Sequence, residues 1–325
     1  MDFRGLLKHT FIYASGVWAG KVIGFLMIPI YTRCLRPADY GVLEMISRTT
    51  DIVALVVGMG MASALLRFHA EAKSEKEKYR VVSTAVTFAA GSGLACALVL
   101  FALAGPLSAA ILGSAVHADY FRLAFIAMGL ELCAAVPMVL LRMHERSALF
   151  TAVNLGRLVV ALSLNIYLLV VLRMGVMGVM ISNLVGISLV TLLLFVVSLR
   201  SWRPGLDMRL LKVMLAYSLP LVPCSFAMFV LNFGDRYFLR AYSGLAVLGV
   251  YSLGYKICMV MPAMVMEPLG FAWTPVVFTL VDRPDARRLY ARFFNGFMFC
   301  VVFACLWLSA VSRDAIKIMA DSSYY

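Results

Sequence analysis

The stretch Tyr31-Thr-Arg-Cys-Leu-Arg-Pro-Ala-Asp-Tyr-Gly-Val-Leu-Glu44 is a short polar link between two apolar runs, and it has an echo. At Asp235-Arg-Tyr-Phe-Leu-Arg240 through Leu248-Gly-Val-Tyr251, basic residues again stand where an apolar run ends. A short link follows, and Gly-Val opens the next run. A second anchor pair lies downstream. Leu66-Arg67-Phe68 leads into charged residues up to Tyr79, and Val277-Phe278 leads into charged residues up to Tyr290. The offsets nearly agree, 208 from Gly41 to Gly249 and 211 from Tyr79 to Tyr290. Two anchors at nearly one offset mark an internal repeat. The shift covers six apolar runs, an even number, so if each run crosses a membrane both copies have the same orientation.

Composition shows that the runs do cross. Of 325 residues, 63% are hydrophobic and 14% charged, against about 45–50% and about 25% in soluble domains. That balance excludes an ordinary soluble enzyme, a disordered chain and a coiled coil. Nine runs approach the ~20 residues a span needs, at about 10–32, 41–66, 82–104, 121–141, 148–171, 174–198, 210–233, 246–271 and 290–311. They are long and continuous, which reads as helices and not as alternating barrel strands. The fold class expected is all-α, a polytopic membrane bundle. The segment 105–118 reads as an amphipathic surface piece. The repeat divides the chain into an N-terminal lobe, 1–205, with six helices, and a C-terminal lobe, 206–325, with helices seven to nine. On that logic about three helices of an expected twelve or more are absent, and the second lobe is expected to be truncated.

Basic residues set the orientation. Near the span ends, one side of the membrane holds 17 Lys and Arg and the other holds 8. The positive-inside rule then puts the N-terminus in the cytoplasm. It also accounts for the net charge of +12 without a nucleic-acid partner. Arg4 and Lys8 precede a run too long for a cleaved leader, so that run reads as a retained first helix. The seven Cys form no CxxC pair and read as small apolar fillers, with no disulfide or metal role.

Polar residues inside spans are the candidates for function, because lipid does not tolerate them. The first span carries a stripe of Gly16, Gly20 and Gly24, which reads as close helix packing, or as a bending element with Pro29 nearby. Lys21 beside it is a snorkelling or paired lysine, or a cation lining a cavity. The second span places Glu44, Arg48 and Asp51 on one face. They form a self-neutralising cluster, or else Arg48 binds an anion while Asp51 or Glu44 couples to an ion. Glu131 lies in the fourth span; Asn154, Arg157 and Asn165 share a stripe of the fifth; Tyr251, Tyr255, Lys256 and Glu267-Pro268 lie in the eighth. The seventh is interrupted by Pro220 and Pro223, with Asn232 and Asp235-Arg236 at its outer end. Four cations in four spans, Lys21, Arg48, Arg157 and Lys256, suit a substrate bearing phosphate or carboxylate. The four His are single, and no HExxH, GxSxG or Walker loop is present. No cofactor and no enzyme activity are expected.

The stretch from Gly16 to Glu44, the stretch from Asp235 to Lys256 and the segment Leu141-Arg-Met-His-Glu-Arg146 resemble the polysaccharide transporter (Wzx-like flippase) family. That family belongs to the multidrug/oligosaccharidyl-lipid/polysaccharide exporter superfamily. The resemblance implies two lobes, usually of twelve or fourteen helices in all, related by a pseudo-twofold along the membrane normal. It implies outward translocation of undecaprenyl-diphosphate-linked oligosaccharide (O-antigen of lipopolysaccharide, capsule or exopolysaccharide) across the bacterial inner membrane by alternating access. The implied partners are the lipid-linked oligosaccharide diphosphate, membrane lipids and polysaccharide polymerase machinery. Related flippases for peptidoglycan precursors carry functional cations in helices 1, 2 and 8, and Lys21, Arg48 and Lys256 match those places. The expected substrate cations are therefore Lys21, Arg48, Arg157 and Lys256, and the ion-coupling candidates Glu44, Asp51, Glu131 and Glu267. A cation-coupled drug or metabolite antiporter of the same superfamily is the alternative, kept open by Glu131, Asp51 and Glu267. A glycan polymerase or acyltransferase would show a large outer loop or an acid/His constellation, and neither is visible. A truncated, non-transporting fragment is the remaining reading.

Overall fold

The computed structural model describes residues 20, 23–143, 147–198, 205–259 and 286–324. All regular structure among them is helical. The helices are α1 (Ile28–Cys34), α2 (Pro37–Gly58), α3 (Met61–Glu71), α4 (Glu75–Ala102), α5 (Ala104–Leu112), α6 (Ala118–Met143), α7 (Ser147–Ile166), α8 (Val176–Ser198), α9 (Met208–Ser218), α10 (Val222–Cys258) and α11 (Ala286–Met319). Among the described residues, seven helical stretches are long and apolar enough to cross a membrane. The chain is a multi-pass membrane protein. The expected count of nine differs for local reasons. The first span is described only from Gly20 onward, and the seventh and eighth run together as Met208–Cys258.

The polar link of the first repeat is a helix start. Pro37 sits in the first turn of α2, where a missing N–H is harmless. The Asp39 carboxylate accepts the backbone N–H of Arg36 at 3.2 Å. In the second repeat the same offset of 208 from Arg36 falls on Gly244. There α10 breaks, with a φ of 85° that glycine adopts freely. Ser74 caps α4 by accepting the N–H of Glu77 at 3.2 Å. Asp207 caps α9 and also holds Arg80 of α4.

The largest helix contact is α2 against α10. At its centre two glycines remove the side chains. A Cβ on Gly41 would overlap the carbonyl oxygen of Leu245, and one on Gly249 would overlap that of Pro37. Pro37 to Leu245 is an offset of 208, as is Gly41 to Gly249, so the contact is reciprocal. The repeat read from the sequence meets itself across this crossing. Around it Met45, Ile46, Phe121, Phe125 and Leu248 form a core with exposures of 1% or less.

The segment expected to lie on the surface at 105–118 is partly built in. Ala104, Ser108 and Leu112 of α5 are buried, and the Ser108 hydroxyl donates to the Ser114 carbonyl at 2.6 Å. By contrast, no residue of α11 is buried among the described residues, and large apolar side chains such as Phe299, Phe303, Leu306 and Trp307 are exposed. Its end returns to the first link. The Met319 carbonyl accepts from the Thr32 hydroxyl, and the Tyr324 hydroxyl donates to the Leu35 carbonyl, each at 3.0 Å.

Candidate functional site

A cavity of about 630 Å³ lies between the helix leading into α1 and helices α2, α7, α8 and α10. That is within the ~300–1,000 Å³ range of small-ligand sites. Its charged lining among the described residues is Glu44 and Arg48 from α2, Arg157 from α7 and Lys256 from α10. The sequence offset carries Arg48 onto Lys256, so the repeat supplies the same charge from both sides of the α2–α10 crossing.

The three cations differ in what holds them. Arg48 is tethered, with Nη1 donating to Asp51 at 2.7 Å and Nε 3.0 Å from Glu44. Arg157 pairs with Glu131 at 3.3 Å. Lys256 is exposed to the cavity and has no carboxylate within ion-pair distance among the described residues. Its ammonium sits 4.8 Å from the centre of the Tyr40 ring, a cation–π contact.

Glu44, the one carboxylate in that lining, is not free to bind a cation. It is 5% exposed, and its Oε1 accepts Arg236 Nε at 2.8 Å as well as facing Arg48. Arg236 is 1% exposed. It also donates to Asp235 at 2.8 Å and to the Asn232 carbonyl at 3.0 Å. Phe233 lies under both guanidiniums, 4.3 Å from Arg48 and 4.9 Å from Arg236, while Tyr255 covers Arg236 at 4.2 Å. This buried knot ties α2 to α10 beside the cavity.

The expected site residues thus divide. Arg48, Arg157, Lys256 and Glu44 meet at one cavity. Asp51 and Glu131 stand outside its lining as the half-exposed partners of Arg48 and Arg157. Lys21 and Glu267 lie outside the described residues. Asn154 and Asn165 both line the cavity, as their shared stripe implied. Gly20 and Gly24 line it too. Among the described residues a Cβ on Gly24 would meet nothing within 4 Å. A Cβ on Gly20 would lie 3.5 Å from Leu158 of α7, and Gly16 lies outside the described residues.

Two participants were missed. The sequence reads Arg236 as the outer end of the seventh span, which is expected at about 210–233. Helix α10 continues through it, and besides Asp235 and Asn232 of its own helix it bonds Glu44 of α2. Asn183 of α8 lines the cavity but stands alone in a span of mean hydropathy 2.4. That isolation was the available signal, since a lone amide in such a run has to face protein or water.

A family model described as "Polysaccharide biosynthesis protein" matches residues 6–281. A search of curated proteins gave no significant match. Among solved structures, the chain is similar to an outward-facing multidrug resistance MATE family transporter of the MOP superfamily, at 17% identity and a TM-score of 0.60. The match covers 80% of this chain and 60% of that one. The inward-facing conformation of such a transporter matches at 18% identity and a TM-score of 0.57, covering 74% and 58%. A MOP superfamily transporter from Pyrococcus furiosus, described as having a binding pocket of reverse polarity, matches at 16% identity and a TM-score of 0.58, covering 88% and 73%. At these identities the likeness is one of fold. The chain spans about 60% of the length of the first of these structures.

Proposed function

The chain belongs to the family of polysaccharide biosynthesis proteins, and from that premise we propose that it moves a lipid-linked oligosaccharide, held by its diphosphate, outward across the bacterial inner membrane. The observation that carries this reading is Lys256, a cation open to the cavity and without a carboxylate partner among the described residues. Arg48 faces the same space from the other copy of the repeat. A diphosphate presents several anionic oxygens, so it can engage one free ammonium and the outer edges of two tethered guanidiniums together. The two lobes, 1–205 and 206–325, then rock about the α2–α10 contact to expose the cavity alternately. The excess of basic residues on one side supports an N-terminus in the cytoplasm.

An antiporter for cationic drugs requires a carboxylate free to bind its substrate or ion. The one in the described lining, Glu44, is already engaged by two arginines, which disfavours that reading. The test is surface polysaccharide in the source strain after deletion of the chromosomal copy. Lys256→Ala should abolish display at matched membrane levels of protein, and Lys256→Arg should retain most of it. Normal display by Lys256→Ala overturns the diphosphate anchor.

A further inference from the structure

The two walls of the cavity differ in chemistry. The α2 and α10 wall is charged, with Glu44, Arg48 and Lys256. The α7 and α8 wall adds to Arg157 three carboxamides, Asn154, Asn165 and Asn183. Their placement follows from the antiparallel packing of α7 and α8. Gly178 approaches Leu168, and Gly186 approaches Ala161 and Arg157. Asn183, about one turn before Gly186, therefore lies at a level between Arg157 and Asn165. Asn154 and Asn165 are three turns apart, about 16 Å along the axis. The amides thus run alongside the cations for longer than a diphosphate alone needs.

Amides in membrane helices commonly serve as glue between helices. Asn165 does so in part, donating to the Tyr31 hydroxyl at 2.9 Å, yet among the described residues its buried carbonyl oxygen has no partner. Among the described residues Asn154 donates only to the Phe150 carbonyl of its own helix, at 2.9 Å, which leaves its carbonyl oxygen open. Asn183 is exposed and makes no hydrogen bond among the described residues. It sits in the most apolar of the spans. An unengaged amide there is unfavourable unless something in the cavity completes it. A carboxamide offers a donor pair and an acceptor in one plane, which matches vicinal hydroxyls of a pyranose. Phosphate, which accepts only, would leave the amide carbonyl oxygen unmatched. We propose that the α7–α8 wall is a carbohydrate subsite, in which Asn183 and Asn154 read the hydroxyl groups of the sugar adjoining the diphosphate. The proposal rests on the diphosphate reading above and adds the sugar-selecting wall to it.

The test uses the full chain in lipid nanodiscs and four probes: farnesyl diphosphate, and farnesyl diphosphate carrying glucose, galactose or N-acetylglucosamine. At least one sugar-bearing probe should bind more tightly than farnesyl diphosphate. Asn183→Leu and Asn154→Leu keep the apolar character of their helices. Each should erase that gain, by roughly tenfold for the loss of a buried hydrogen bond to the sugar, while farnesyl diphosphate binds as before. Lys256→Met should weaken all four probes. The subsite is overturned if no sugar improves binding, or if the leucine variants weaken every probe equally. Unchanged farnesyl diphosphate binding by Lys256→Met overturns the anchor instead. The two failures are separable, because the subsite is read from the ratio between probes and the anchor from farnesyl diphosphate alone.

Discussion

Replacing Arg236 with Met tests whether the buried knot between α2 and α10 holds the helices together. The guanidinium is 1% exposed. It makes charge-assisted bonds to Glu44 and Asp235, a bond to the Asn232 carbonyl and ring contacts to Phe233 and Tyr255. Methionine keeps much of the volume and none of the donors. Removing one partner of a buried ion pair costs about 3–5 kcal/mol, because the remaining charge stays buried. Here the lower end applies, since Glu44 retains Arg48 at 3.0 Å and Asp235 is reachable by water. The expected loss is therefore about 3 kcal/mol. The second half of the test is Glu44→Gln. Alone, it should cost less than Arg236→Met, because Arg236 keeps Asp235 and the Asn232 carbonyl. Added to Arg236→Met, it should restore part of the loss, since it removes the excess buried carboxylate. Unfolding in detergent by denaturant or heat measures all four corners of the cycle. The reasoning is refuted if Arg236→Met lies within about 0.5 kcal/mol of the parent. It is equally refuted if Glu44→Gln destabilises the Arg236→Met protein as much as it does the parent.

Gly249→Ala and Gly41→Ala should each destabilise by about 2–3 kcal/mol, as overpacking against backbone does. The double variant should cost much less than their sum, because one separation of α2 from α10 relieves both overlaps; thermal unfolding decides, and additivity argues against a shared crossing. Reporter fusions in the loops 67–80, 199–209 and 281–292 should report cytoplasm, and a periplasmic signal from any of them reverses the orientation. Backbone amides, first that of Leu210, together with the Arg80 guanidinium, hold the Asp207 carboxyl below its usual range. A depressed carboxyl stabilises the fold above its unfolded pKa of about 3.9 and loses that contribution as pH falls through the lower folded value. The protection factors of the Arg209 and Leu210 amides, corrected for intrinsic exchange, should therefore fall on acidification below about pH 4, and Asp207→Asn should flatten that dependence.

Hydropathy reveals spans because lipid exposure is a property of a whole run, and the runs at 82–104 and 121–141 correspond to α4 and α6. The repeat was legible because Gly41 and Gly249 are kept free of side chains for the same contact. Helix rotation was not legible. Glu131 and Asp51 were as plausible in the cavity as Glu44, and only packing shows that they hang behind Arg157 and Arg48. Arg236 was hidden for a related reason. Asp235-Arg236 looks like the wet end of a helix, since two adjacent opposite charges are also what a solvated link carries. The burial of Arg236 depends on Glu44, 192 positions away in sequence. Asn183 could have been weighed by its isolation, but no spacing pattern pointed to it.

The bare contact at Gly41 and Gly249 also has a mechanical meaning. Where two rods touch with nothing between them, the point of contact is a fulcrum. Turning one rod against the other there displaces each point in proportion to its distance from the touch. Arg48 lies seven residues beyond Gly41, and Lys256 seven residues beyond Gly249. Each cation therefore rides a lever arm of about 10 Å. The arms are equal because the repeat made them so. A turn of about 10° carries each charge some 2 Å along its arc, enough to break a hydrogen bond made at its tip. Small angular changes between α2 and α10 thus become a change in grip on whatever lies between the two cations.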